Sequence, residues 1–497
     1  MPFSLPAGGR LAVLACSLAV ALGAAGLAGA PASAAGSAAA AASAADPAAP
    51  YGPQPPQNPF TAANGAATMH GDSASSGTTA YPGPGTAAVN YARTALASAC
   101  PTVVVGGDGY VTALCTTIFG QTPTVHLLDP ATGADLASLA LPKGSLFGGV
   151  YAYLDNGDRL VVVDGDNDLL RIGHHRSGSG WTLRIDRSTP LGSAVPAGDN
   201  IVGLTPAWDG KVWFATSGGV IGTVDTDTGA VRSISTGEGV QNSISTVPGR
   251  TAVATDHALY LLSSGPDGTP VVDWRAPYDR GPARKPGQLS WGTGTTPSFF
   301  GPGNGTEYVT IVDNAAPHGN LLVYRAAGGP DPICRIPVLT QYARSGTEDA
   351  VIASGRSVFV TNTYGYPYPA LPAGAPASQP SSADFDGGLS RIDVNDRGTG
   401  CQVVWNSPVK SAALPRLSLA DGKIYTVSVT GPTGSAGLNT FAQYHHAVVD
   451  PATGAQLSSS YLGIGLVYNP LQMRGTAAPD GTLYQGTETG VVRISKR

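Results

Sequence analysis

From Ala95 onward, short apolar runs alternate with clusters of Gly, Asp, Asn and Pro. RLVVVDGDNDLLRI (from Arg159), GKVWFATSGGVIGTVD (from Gly210), RTAVATDHALYLL (from Arg250), EYVTIVDN (from Glu307), SVFVTNTYGY (from Ser357) and GKIYTVSV (from Gly422) show the habit. Each run is too short for an ordinary helix, carries β-branched or aromatic residues, and stops at turn formers. No long stretch repeats with a helical period. The pattern predicts an all-β protein.

The runs repeat. LLDPATGADLASL (from Leu127), TVDTDTGAVRSI (from Thr223) and VVDPATGAQLSSS (from Val448) are copies of one hairpin, and RIDVNDRGTGCQVVW (from Arg391) is a degenerate fourth. Asp129, Asp225 and Asp450 open a turn that their carboxylates can cap, and Gly133, Gly229 and Gly454 supply its positive φ. The aspartates lie 96 and 225 residues apart, near two and five multiples of about 45, the usual size of a four-stranded propeller blade. A second repeated element is a Gly-rich turn before a strand: GDGYVTAL, DNGDRLVVV, WDGKVWFAT, SGRSVFVT, ADGKIYTVS and PDGTLYQGT. Counting both elements predicts a β-propeller of eight blades, with seven as the alternative. A strand near Pro101–Val105 is expected to complete the last sheet and close the ring, which removes exposed edges.

The D-x-x-T-G turn followed by a strand resembles the repeats of quinoprotein-type β-propellers. That eight-bladed superfamily includes the pyrroloquinoline quinone (PQQ) alcohol dehydrogenases. The resemblance spans about Thr102 to Arg497 at the level of the single repeat. It implies, as expectations, the eight-bladed fold and a quinoprotein-like oxidoreductase holding PQQ with calcium. Of the family's docking tryptophans, Trp405 is the one good match. The vicinal Cys-Cys pair that the alcohol dehydrogenases set beside their cofactor has no counterpart here.

The N-terminus reads differently. A single cation, Arg10, an apolar Ala/Gly-rich run and Ala32-Ser33-Ala34 make residues 1–34 a secretory signal peptide cut after Ala34. Cys16 has too few apolar residues before it for a lipidation site. Residues 35–92, poor in charge and in large apolar groups, are expected to form a disordered Ala/Pro/Gly-rich linker, and 93–497 the propeller. The mature protein is then secreted, cell-wall proximal, without a membrane span, and monomeric. A net charge of -5 and a pI near 5.9 without a basic stripe argue against nucleic acid as a partner. Removing the leader leaves Cys100, Cys115, Cys334 and Cys401, an even count that favours disulfides in an exported chain. Of three pairings, Cys100–Cys115, across neighbouring strands, and Cys334–Cys401, between adjacent repeats, are expected.

Only 12% of residues are charged, yet DWRAPYDRGPARKPGQLSWGTGTTP (Asp273–Pro297) gathers Trp274, Arg275, Tyr278, Asp279, Arg280, Arg284, Lys285 and Trp291. It reads as a long inter-blade connection whose cations bind a carboxylate or phosphate and whose aromatics stack on a flat ligand or sugar ring. The competing reading is that Asp273 and Asp279 neutralise the arginines and the aromatics pin the loop. Asn362 and Tyr364, with Tyr366, are expected on the same face, as is His318. Glu238, Asn242, Asp313, Asn314 and Glu348, with Asp349, offer oxygen ligands of the calcium class. Asp164, Asp166 and Asp168 begin like a calcium loop but meet Leu169 and His175 where Gly and Glu are needed. The Pro/Ala/Ser insertion 369–383 reads as a surface loop or a lid over the channel mouth. HExxH and G-x-S-x-G are absent. Two function classes follow. One is a ligand-binding or scaffold module for a small-molecule or carbohydrate-like ligand or a surface protein. The other is an enzyme, a quinoprotein-like oxidoreductase first, or else a propeller hydrolase or lyase.

Overall fold

The computed structural model describes residues 51–144, 151–434 and 440–497. The expected signal peptide 1–34, with Cys16 and the cut after Ala34, and the first part of the expected linker, 35–50, lie outside the described residues. Eight antiparallel sheets follow one another along the chain, at 98–140, 153–190, 201–235, 245–277, 298–337, 352–407, 416–464 and 476–496. In the first seven the strands run from innermost to outermost in chain order, and the eighth does so for its three C-terminal strands. This is an eight-bladed β-propeller. Among the described residues no helix is long and apolar enough to cross a membrane.

The local chemistry is the expected one. In blade 1 the Asp129 carboxylate accepts from the Ala131 and Thr132 amides, at 3.0 and 2.8 Å, and Gly133 sits at φ 76°. Asp225 and Asp450 cap the same turn in blades 3 and 7, with Gly229 and Gly454 at φ 73° and 75°. Only the spacing differs from expectation: four blades, not five, separate Asp225 from Asp450. The residues between Thr361 and Leu389 lengthen blade 6. The acidic turn at Asp164 is a hairpin whose carboxylate accepts from the Asp166 and Asp168 amides, both at 3.0 Å.

Ring closure uses another strand than the one expected. Val89–Ala95 is the outermost strand of blade 8, antiparallel to Gly490–Lys496, while Ser98–Val105 is the innermost strand of blade 1. Strands from before the first blade and from the C-terminal stretch therefore share one sheet. The two disulfides are those expected. Cys100–Cys115 joins neighbouring strands of blade 1, and Cys334–Cys401 ties the outermost strands of blades 5 and 6.

The largest difference concerns residues 51–92, read from composition as disordered linker. They are ordered, and 61–79 are largely buried. The chain runs beneath several blades and then enters the central channel. Thr78–Thr79 adds, in parallel, to the innermost strand of blade 7, Arg416–Ser418. Carbonyls of this segment accept from the innermost strands around the ring: Ser73 from Thr246, Ala74 from Phe299, Ser76 from Ala353 and Gly77 from Leu417, at 2.7–3.1 Å. The physical reason is width. Eight blades leave an axial space that fits one backbone with small side chains, so the Ala, Ser, Gly and Thr that cannot build a core alone are the residues that fill it. At Gly77, φ 72°, an added Cβ would lie 2.8 Å from the Arg474 guanidinium.

In a four-stranded antiparallel meander the connections between blades and the hairpin joining the second and third strands emerge on one face. The other two hairpins emerge on the opposite face. All the connector residues singled out in the sequence therefore share a face.

Candidate functional site

Asp273–Pro277 belongs to the outermost strand of blade 4, Pro270–Pro277, so the connector proper begins at Tyr278. Trp274 is buried among the residues between blades 4 and 5 and stacks, tilted, 5.5 Å from Tyr324. Arg275 pairs with Glu238 at 2.5 Å and donates to Tyr260 Oη. Tyr278 donates to the Thr255 carbonyl at 2.6 Å. Arg280 contacts Asp256 at 3.2 Å, donates to the Trp291 carbonyl, and lies 4.4 Å over the Trp291 ring. Trp291 returns a bond from Nε1 to the Arg280 carbonyl. Asp279 caps Gly281. Arg284 and Lys285 are buried. Arg284 donates to the carbonyls of Pro376 and Gln288, and Lys285 Nζ to those of Ala315 and Ser345 at 2.6 and 2.7 Å. Burial lowers the Lys285 ammonium to about 8. The polar groups of this connector thus bind the protein itself.

The other candidates do converge on the connector. Asn314 Nδ2 donates to the carbonyls of Arg280 and Ala283, and Asn242 Nδ2 to that of Thr293. Asp313 caps its own turn through Ala315 and Asn320. Asn362 Oδ1 accepts from the Gly346 and Tyr364 amides, and Tyr364 is buried beside Gly346. His318 is within the electrostatic reach of Lys285, which with burial holds its imidazole below the ordinary range. The 369–383 insertion is clamped to the connector by Arg284 and by the Gln379 amide bonded to the Arg284 carbonyl.

Among the buried polar atoms without a partner in the described residues, two neighbouring carboxyls lie at the channel mouth. Residues just ahead of the innermost strands form a ring there: Tyr151 before blade 2, Ser243 before blade 4, Thr296 before blade 5, Glu348 and Asp349 before blade 6, and Arg474 before blade 8. Glu348 Oε2 accepts from the Leu289 amide at 3.0 Å. Its Oε1 and both oxygens of Asp349 have no hydrogen-bond partner among the described residues, although both side chains are buried. Burial, opposed by Arg284, raises Glu348 to about 8, and burial, opposed by Arg474, raises Asp349 well above the carboxylate range. Tyr151 and Tyr368 keep partial exposure, and burial lifts both phenols above their ordinary range. Tyr368 feels Asp349, Glu348 and Tyr151, so these groups face one space. Glu488, raised by burial to about 7, accepts from Asn469 at 2.7 Å, and Asn469 in turn accepts from Tyr366. Below, Arg474 donates to the carbonyls of His70, Ala350 and Val351 and closes the floor against the threaded segment.

The sequence pointed to Glu348 and Asp349 but not to Tyr151, Arg474 or His70, which sit in stretches without a motif. Position ahead of an innermost strand was the only available signal. It depends on knowing the blade frame.

The expected calcium set does not assemble. Among the described residues no group of three or more His, Cys, Asp or Glu is placed to hold a metal, and Glu238, Asp313 and Glu348 each serve a different local contact. The axis on which a quinone would lie over a cation is filled by residues 70–79. The residues present do not fit a calcium–quinone pair.

No family model matches the chain. It is 24% identical over 389 residues to an uncharacterized protein of Archaeoglobus fulgidus, covering 71% of this chain and 72% of that one. Among solved structures, the quinohemoprotein alcohol dehydrogenase of Comamonas testosteroni superposes with a TM-score of 0.53 at 13% identity, over 88% of this chain and 82% of that one. BamB of Moraxella catarrhalis matches at 12% identity with a TM-score of 0.37, over 67% and 95%. At such identities the likeness is one of fold. The chain is an all-β, eight-bladed propeller, and its architecture is shared with the quinohemoprotein dehydrogenase.

Proposed function

We propose that this chain is an exported binding module that takes a small, uncharged, polyhydroxylated ligand at the channel mouth on its connector face. The observation that carries the reading is the buried pair Glu348–Asp349. Three of its four carboxyl oxygens lack a partner among the described residues, beside the partly exposed Tyr151 and Tyr368. A carboxyl kept neutral near pH 7 both donates and accepts a hydrogen bond, as a sugar hydroxyl does, and a tyrosine ring offers an apolar face with a polar tip. The cations expected to attract an anionic ligand are committed to carbonyls and carboxylates, which favours a neutral one. The signal-like leader and the two disulfides support export.

Calorimetric titration with a panel of neutral mono- and disaccharides tests this. Binding is expected for at least one, weakened roughly tenfold by Tyr368→Ala, about 1.4 kcal/mol, and weakened again as pH rises above 8. No heat with any saccharide, or binding indifferent to both Tyr368→Ala and Glu348→Gln, sinks the reading.

A further inference from the structure

The opposite face carries a second site of different chemistry. A cavity of about 310 Å³ opens between blades 2 and 3, within the usual size range of small-molecule sites. Arg159, Arg171, Arg187 and Lys211 line it, with Phe60 of the threaded segment as an aromatic wall. These cations are scattered over 53 positions of a charge-poor sequence, and only the blade geometry brings them together.

Four carboxylates, Asp155, Asp209, Asp225 and Asp227, stand against these four cations, but they are held unequally. Arg159 and Arg171 share one buried carboxylate, Asp155, at 2.9 and 2.5 Å. Arg187 holds Asp227, whose side chain is 90% exposed, and Lys211 holds Asp209, 47% exposed. Such solvent-screened pairs are weak and exchange readily for a better-placed anion. Asp225, also in the lining, is occupied by the Asp227 and Thr228 amides. Arginine forks suit phosphate and carboxylate alike.

We propose that this cavity binds a small organic anion, a phosphate- or carboxylate-bearing sugar-sized molecule, with the anionic group between Arg171, Arg187 and Lys211 and the ring against Phe60. The site is independent of the channel mouth. Titration of the full chain with inorganic phosphate, glucose 6-phosphate, glucuronate and neutral glucose separates the possibilities. At least one anion is expected to bind and glucose not to bind at this site. The double variant Arg187→Gln/Lys211→Gln, at half-exposed positions that leave the fold intact, should weaken binding at least about tenfold, and raising NaCl from about 50 to 500 mM should weaken it further. Glucose 6-phosphate binding with glucuronate silent assigns phosphate, and the reverse assigns carboxylate. Inorganic phosphate alone binding, unaffected by the double variant, marks a non-specific ion and overturns the proposal. So does an absence of binding by all three anions. Tyr368→Ala should leave this binding unchanged, so failure here and failure at the channel mouth are read separately.

Discussion

Burial pushes the Glu348 carboxyl toward its protonated form near neutral pH, where the same group of the unfolded chain is ionised. With its carboxyl raised from 4.5 to about 8, and Glu488 raised to about 7, the native state binds more protons than the unfolded state above pH 4.5, so stability falls as pH rises through that range. Asp349 acts in the same direction. His70 and His446 are lowered and act oppositely, but only below their ordinary 6.5, and Lys285 contributes a slope only above about 8. The window between pH 6.5 and 8 therefore belongs to the acids. Thermal melts should show a lower Tm at pH 8 than at 6.5, and Glu348→Gln should flatten that slope by at most about 1.4 kcal/mol per pH unit. An unchanged slope in the variant would mean that Glu348 is ionised and solvated. The connector cations give a second prediction. Lys285→Met strands two buried carbonyls and should cost about 1–3 kcal/mol in urea denaturation, whereas Arg275→Ala, at a half-exposed ion pair, should cost under about 1 kcal/mol. Equal losses would contradict the assignment of Lys285 as an internal brace.

Among the elements, the hairpins were legible because their chemistry is local. Asp129, Asp225 and Asp450 need only the next few amides, so the turn is written within five residues. Both disulfides were legible too, since strand order alone sets which cysteines are neighbours. Replacing Cys334 and Cys401 by Ser should cost about 2–4 kcal/mol, read as a shift of the urea midpoint, because the bridge closes a loop between two blades. A midpoint unchanged by the substitution would show that blades 5 and 6 hold together without it. The segment 51–79 was not legible. Its small residues are the signature of a chain with no core of its own, and that signature is the same whether the chain lies in solvent or in a channel built by 400 later residues. The connector was half legible. Its position between blades followed from the strands on either side, but the partners of Arg280, Arg284 and Lys285 are carbonyls, which leave no mark in side-chain sequence.

At the scale of the molecule, the threaded segment decides what the propeller can do. It takes the axis, bonds the innermost strands of four blades, and lends Phe60 to the cationic cavity on the face opposite the connectors. Deleting residues 51–79 should remove the axial bonds of four blades and both site floors together, so that both ligand classes are lost along with cooperative unfolding. A chain beginning at Tyr51, the first described residue, should melt as the full chain does. Hydrogen exchange followed by mass spectrometry across residues 70–79 tests the central claim most directly. The amides there, and those of Thr246, Phe299, Ala353 and Leu417 that bond its carbonyls, should exchange as slowly as the innermost strands themselves. Exchange of 70–79 within seconds, at the rate of an unstructured peptide, would contradict an axis filled by the protein's own chain.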